Sequence, residues 1–315
     1  MSMNRSPIPT ANDIDAAARR IAGHVRETPI ARPGADTFGL AATLTLKLEG
    51  LQHTGSFKPR GAFNRVLARP PIPPTGLIAA SGGNHGAAVA YVARQLGMHA
   101  EIFVPEIVAA SKLARLHAYG ASVHVGGRAY ADALLASEQR AQQSGATQIH
   151  AYDDPDVVAG AGTLAREFEA QAGPLDCVLV AVGGGGLIAG VAAWYGSRTR
   201  VIAVEPFHSC AMHAALAAGA PCDVEVSGIA ADSLGARRVG NIPFAVAQRY
   251  ISLCVQVEDS DILAAQRALW NELRIFAEPG GATALAALLS GAYVPAAGER
   301  VGVVVCGANG DPAVL

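Results

Sequence analysis

Charge and aromatic rings are scarce in this sequence. Charged residues make up 16% of the 315-residue chain and aromatics 5%, against 51% for the hydrophobic set, where soluble domains carry about 25% charged and about 45–50% apolar residues. Such a composition excludes disorder and a coiled coil, and leaves an Ala/Val/Leu-built, well-buried chain. No long run of one sign occurs, and 24 basic against 26 acidic residues leave a formal charge of −2. Neither a nucleic acid nor a membrane is therefore an expected partner; the expected ligand is small. An apolar stretch of about 18 residues, enough to cross a bilayer, is also missing, since the closing run Val301–Val305 has only strand length. The first 25 residues hold Asn12, Asp13, Asp15, Arg19 and Arg20 but no apolar centre of a secretory signal. Five cysteines (Cys177, Cys210, Cys222, Cys254, Cys306) are odd in number and form no Cys-x-x-Cys pair, which speaks against a disulfide framework and a zinc site. These absences together point to a soluble, cytoplasmic protein of one large or two ordinary domains.

What the chain has in excess is glycine, 35 residues where about 7% of a chain is usual. Around those glycines, short apolar runs alternate with Ala-rich helical stretches. Leu77–Ala80, Ala100–Val104, Ser122–Val125, Cys177–Ala181, Val201–Val204 and Arg300–Val305 read as strands. His85–Leu96, Ser111–Tyr119, Tyr130–Ser144, Pro155–Ala172, Leu187–Trp194 and Asp261–Leu273 read as helices, preceded by one near Asp13–Val25. This alternation predicts an α/β fold of parallel sheets covered by helices on both faces. The Pro70–Pro74 cluster reads as a rigid turn before a strand.

Three glycine segments allow chemistry. Val182-Gly183-Gly184-Gly185-Gly186-Leu187 carries a strand into a helix, and its backbone N–H groups, backed by the helix dipole, suit a phosphate. A close strand–helix turn without ligand is the bland alternative. Gly184, Gly186 and Ala189 also satisfy the dinucleotide pattern G-x-G-x-x-G/A, with Glu205 placed 21 positions after Gly184 for a ribose, so an NAD-dependent oxidoreductase is a rival on the residues alone. In Thr54–Ala62, Lys58 stands beside Phe57 in what reads as a short turn, an arrangement suited to a partly desolvated Schiff-base amine; a solvated surface lysine is the alternative. Ser81-Gly82-Gly83-Asn84-His85-Gly86 follows a strand and begins a helix, where amide groups can hold a carboxylate, or simply cap the helix.

The motifs T-G-S-F-K-x-R-G-A (54–62), S-x-G-N-H-G (81–86), V-G-G-G-G-L-x-A-G (182–190), E-P-x-G-A (278–282) and V-V-x-G-x-N (304–309) occur in the order and at the separations found in fold type II enzymes that use pyridoxal phosphate (PLP). Over about 50–315 the chain resembles their threonine/serine dehydratase and serine racemase family. The resemblance implies two parallel-sheet α/β domains with the active site in the cleft between them. Residues 1–49 and 151–315 would form the large PLP/phosphate-binding domain, and 50–150 the small domain that binds the substrate carboxylate. It makes Lys58 the catalytic, Schiff-base lysine. Phe57, Asn84, Gly183, Gly184, Gly185, Gly186, Leu187, Glu278 and Cys306 would bind the cofactor, with Phe57 against the ring, Asn84 on its phenolate and Cys306 at the pyridine nitrogen. Ser81, Gly82, Gly83 and His85 would hold the substrate carboxylate.

A neutral Cys306 makes the ring a weaker electron sink than an acid would, which favours elimination over persistent carbanion chemistry. The implied activity is a PLP-dependent ammonia-lyase that removes water from L-threonine, L-serine or a related β-hydroxy amino acid such as 3-phenylserine or 3-hydroxyaspartate. Lys58 would take the α-proton, the cofactor phosphate would assist loss of the hydroxyl, and hydrolysis would give a 2-oxo acid and ammonia. Serine or aspartate racemisation is the alternative within the family, and a non-catalytic PLP-binding protein is a further one. Gly82 stands where racemases resembling this chain place a serine on the second ring face, which ranks racemisation lower. Those relatives also bind a divalent cation through a loop beginning Glu-Pro; here Glu205-Pro206 is present but Ala211 replaces the later acid, so no metal is expected. The chain ends six residues after Asn309, so isoleucine feedback through an added domain is not expected. Low surface charge and the resemblance together predict a homodimer.

Overall fold

A computed structural model of the chain describes residues 8–34 and 36–311; the outermost residues of the 1–49 and 151–315 segments lie outside the described residues. Among the described residues ten strands form: β1 Ile30–Ala31, β2 Thr43–Leu48, β3 Leu77–Ala80, β4 Ala100–Val104, β5 Ser122–Val125, β6 Thr147–Gln148, β7 Cys177–Ala181, β8 Arg200–Pro206, β9 Ile251–Val257 and β10 Arg300–Val305. They make a six-stranded sheet of order β1-β2-β10-β7-β8-β9 and a four-stranded sheet of order β5-β4-β3-β6. Every pairing is parallel except that of β1 with β2. The α/β expectation holds. In β7, Cys177, Val178, Leu179 and Val180 are fully buried, as a parallel strand covered on both faces must be. Burying each valine or leucine side chain contributes about 1.5–3 kcal/mol.

Local signals explain the helices on these sheets. Asp154 accepts hydrogen bonds from the amides of Asp156 and Val157, and Pro155 takes the first turn, so helix Pro155–Ala172 starts sharply. Its Gly162 faces Gly190 on helix Gly186–Tyr195 so closely that a Cβ on Gly190 would stand 2.5 Å from the Gly162 nitrogen. Gly190 therefore belongs to a helix–helix contact rather than to a ligand.

The first helix is Ala11–Ile21, with a Thr10 capping box, and ends earlier than the expected Val25 because the chain turns at Gly23, whose φ is +82°. Lys58 opens an 11-residue helix, Lys58–Ala68, with Pro59 in its first turn, where the sequence reads as a turn. Further elements escape the sequence pattern, among them the two-residue strands β1 and β6 and the short helix Ala231–Leu234. The longer ones are β2, β9, and the helices Ala211–Ala218, Asn241–Tyr250 and Pro279–Leu289. No helix among the described residues is long and apolar enough to cross a membrane.

Since β2, β10 and β7 are parallel neighbours, their carboxyl ends lie on one edge. The loops leaving that edge carry Lys58, Cys306 and Gly183–Gly186, and the loop leaving β3 carries Ser81–Gly86. A crevice outside the carboxyl ends of strands is where open α/β sheets bind ligands.

Candidate active site

The segment before Lys58 is pinned to the end of β10. Phe57 N donates to Cys306 O at 3.2 Å and Ala308 N to Gly55 O at 2.9 Å, and Ser56 bridges Gly307. Thr54 occupies the left-handed region, φ +61°, and its carbonyl accepts from Asn309 Nδ2 at 2.7 Å. These contacts place Lys58 and Cys306 in one pocket, lined also by Phe57, Asn84, Tyr152, Gly183–Leu187 and Glu278. The Lys58 ammonium donates to Ala151 O at 3.1 Å and stands 5.0 Å from the Phe57 ring centre. Burial lowers its pKa to about 8, against the opposing pull of Glu278.

The phosphate-binding expectation concerns Gly183–Leu187. None of their amide groups donates to another described residue, and they converge at the start of helix Gly186–Tyr195, where the dipole adds positive potential. Space around them is set by protein. A Cβ on Gly184 would lie 2.3 Å from Tyr152 Cδ1, and Gly185 sits at φ +89° with Pro243 Cβ 2.6 Å from where its own would be. Tyr152, which sequence reasoning missed, closes this loop while its hydroxyl donates to Arg238 O at 3.2 Å.

Asn84 joins a chain of hydrogen bonds across the pocket. Asn309 Nδ2 donates to Asn84 Oδ1 at 2.8 Å, and Asn84 Nδ2 donates to Glu278 Oε1 at 2.6 Å, leaving Asn84 one further N–H. Glu278 is buried, and desolvation raises its pKa to about 7. Cys306 donates its thiol to Gly280 O at 3.4 Å; burial, with Glu278 nearby, pushes its pKa far upward, so the group is a neutral thiol.

In the loop after β3, Gly83 N donates to Ser81 Oγ at 3.2 Å, whereas the amides of Asn84 and His85 donate to no other described residue. They are free for a carboxylate at the start of helix Asn84–Gln95. The His85 ring turns away: its Nε2 donates to Ile149 O at 2.8 Å, and burial together with the Lys58 charge lowers its pKa to about 3. What His85 offers a ligand is thus its backbone N–H, not its imidazole. A Cβ on Gly82 would meet Val108 Cγ2 at 2.8 Å.

Glu205 is fully buried and accepts from Met212 N and His213 N at 2.8 and 2.7 Å. Both oxygens thereby cap helix Ala211–Ala218 and are unavailable to a ribose, which removes the structural basis of the dinucleotide reading.

Behind Lys58 stands a buried ionic cluster that the sequence did not announce. Arg60 reaches Glu49 at 2.8 Å and Glu167 at 2.9 Å, and Lys47 reaches Glu167 at 2.5 Å. Arg60 lies two positions after Lys58, so the cluster ties the start of the lysine's helix to the segment after β2 and to helix Pro155–Ala172. The K-x-R spacing was the available signal.

The donor set fits a phosphorylated aromatic aldehyde. Free amides suit the phosphate, Lys58 supplies a partly neutral amine, Phe57 presents a ring, and Asn84 retains a donor. A sequence profile of the family described as "Pyridoxal-phosphate dependent enzyme" matches residues 21–307. Phenylserine dehydratase of Ralstonia pickettii is 34% identical over 319 residues, covering 99% of this chain and 97% of that protein. The fold is similar to the crystal structure of a threonine deaminase from T.th., with a TM-score of 0.90, 35% identity, and 96% and 99% of the two chains covered. It is likewise similar to maize serine racemase, with a TM-score of 0.92, 29% identity, and 98% and 96% covered.

Proposed function

The chain belongs to the pyridoxal-phosphate dependent enzymes, and from that premise we propose that it is an ammonia-lyase acting on a β-hydroxy amino acid such as threonine, serine or 3-phenylserine. One observation carries the reading: an amine with a pKa of about 8 shares a pocket with five unpartnered amide groups. Bound pyridoxal phosphate supplies an aldehyde that captures amines and a conjugated ring that acidifies the substrate's α-carbon.

The chain's own residues do the rest. Gly183–Leu187 hold the phosphate, and Asn84 and His85 orient the substrate carboxylate through their amides. Lys58, partly neutral near pH 8, moves the α-proton. Cys306, a neutral thiol, cannot fix a proton on a ring nitrogen as a carboxylate would, which favours a reaction whose charge leaves with the β-hydroxyl. Gly82 brings no ionisable group, and Val108 fills the space beside it, so elimination is favoured over two-sided proton exchange. Residues 50–150 act as a smaller domain closing on the rest, and the enzyme works as a cytoplasmic homodimer.

The test is to reconstitute the protein with pyridoxal phosphate and follow 2-oxo acid and ammonia from a panel of β-hydroxy amino acids. Release from at least one of them is expected, together with borohydride-trapped label on Lys58. Lys58→Ala abolishes both; turnover of that variant near the wild-type rate would sink the assignment.

A further inference from the structure

Arg115 is left unexplained by the site described above. It lies on helix Ala110–Ala118, one turn beyond Lys112, whose ammonium pairs with Asp232. Residues three apart share a helix face. Asp232 belongs to the short helix Ala231–Leu234, whose Ser233 and Leu234 line the pocket. The Asp232 carbonyl lies 3.6 Å from where a Cβ on Gly83 would stand, so this wall abuts the Ser81–Gly86 loop. The face that carries Lys112 and Arg115 therefore stands at the pocket's rim, with Arg115 within electrostatic reach of Glu278 inside it.

Arg115 Nε is buried and has no hydrogen-bond partner, and its guanidinium forms no ion pair among the described residues. A guanidinium nitrogen shut from water without an acceptor is costly, and its planar fork matches a carboxylate through two parallel bonds. Lys112 already neutralises Asp232, so the uncompensated positive charge at the rim is that of Arg115. The α-carboxylate of an amino acid has its own receptors in the free amides of Asn84 and His85.

We propose that Arg115 binds a second carboxylate, carried on the substrate's β-carbon, and thereby selects 3-hydroxyaspartate-type diacids over threonine. The inference rests on the elimination reading above. The reaction balances without an oxidant: the α-proton and β-hydroxyl leave as water, and hydrolysis of the resulting enamine, through its imine, gives oxaloacetate and ammonium.

The experiment compares kcat/KM for L-threo-3-hydroxyaspartate and L-threonine in the reconstituted wild type, Arg115→Ala and Arg115→Lys. The wild type should favour the diacid, and Arg115→Ala should lower the diacid-to-threonine ratio about 10- to 100-fold, the range for a lost charge-assisted pair. Arg115→Lys should recover part of it. Calorimetric binding of L-aspartate against L-alanine, neither of which carries a hydroxyl to lose, should show the same loss of preference. Equal losses on both substrates would mean an α-carboxylate contact and overturn the proposal, as would a wild-type preference for threonine or 3-phenylserine. If Arg115→Ala does not fold, Arg115→Gln replaces it in both assays. Should no β-hydroxy amino acid be turned over, the elimination reading falls, and the aspartate–alanine comparison alone decides the role of Arg115.

Discussion

Raising the pH from about 6 to about 10 takes the Lys58 amine through its titration, because burial brings its pKa down from 10.5 to about 8. Only the neutral amine attacks an aldehyde, and a lowered pKa in a base means that the neutral form is already abundant above that value. At pH 7.5 a lysine of pKa 10.5 is about 0.1% neutral and one of pKa 8 about 24%, a gain of about 240-fold. Covalent loading of pyridoxal phosphate onto the apo-protein, quenched with borohydride at timed intervals, reads this directly. Dividing each rate by that of a free lysine derivative under the same conditions removes the cofactor's own titrations. The ratio should exceed unity by about two orders of magnitude at pH 7 and fall steadily above pH 8 toward unity near pH 10.5, as the free amine catches up while Lys58 is already deprotonated. A ratio independent of pH would mean that Lys58 titrates like a solvated lysine, and the argument from its burial would be wrong. Glu278→Gln removes a charge that favours the ammonium form, so it should move the profile to lower pH.

Gly184→Ala, which thrusts a methyl to within 2.3 Å of the Tyr152 ring, should cost about 1–3 kcal/mol in stability and weaken cofactor affinity, measurable by thermal melts and by fluorescence titration; unchanged affinity would mean that the loop does not hold the phosphate. Arg60→Ala leaves Glu49 and Glu167 facing each other without their shared cation, and should destabilise by about 3–5 kcal/mol in urea unfolding; a loss under about 1 kcal/mol would show the cluster to be dispensable. A chiral assay on L-serine should find little D-serine from the wild type. Gly82→Ser by itself should not change that, because Val108 occupies the space its Cβ needs; efficient racemisation by the wild type would overturn the preference for elimination.

Elements with sharp local boundary signals were legible in the sequence, and those without them were not. Tyr130–Ser144, Pro155–Ala172 and Cys177–Ala181 match the expected limits, because an apolar run, a proline or an aspartate cap marks each boundary. β2 reads Thr-Leu-Thr-Leu-Lys-Leu, and Lys47 suggests an exposed edge. It is instead fully buried, because Thr28 O, Glu167 and Gln171 accept all three of its protons. Helix Pro279–Leu289 hides behind Pro-Gly-Gly, and Lys58–Ala68 behind Lys-Pro-Arg-Gly, since glycine and proline signal turns unless tertiary contacts claim them. Within the site, Lys58, Cys306 and the glycine run were visible as motifs. Tyr152 and Arg115 were not, and Arg60 was visible only as the R of K-x-R and not as the centre of an ionic cluster, because their importance depends on which surfaces the two sheets bring together. His85, expected to hold the substrate carboxylate, has its ring engaged by Ile149 O, which leaves its backbone N–H for that role.

The glycine loop carries a consequence for inheritance. Gly183, Gly184 and Gly186 are each required by a neighbour in the protein itself, Leu234 for the first and Tyr152 for the other two. A descendant that abandoned catalysis would still lose stability by replacing them. Persistence of the run therefore records the architecture as well as the chemistry, whereas Lys58, whose ammonium has one hydrogen bond to protein, to Ala151 O, would be the earlier place for drift in a lineage that had stopped doing chemistry.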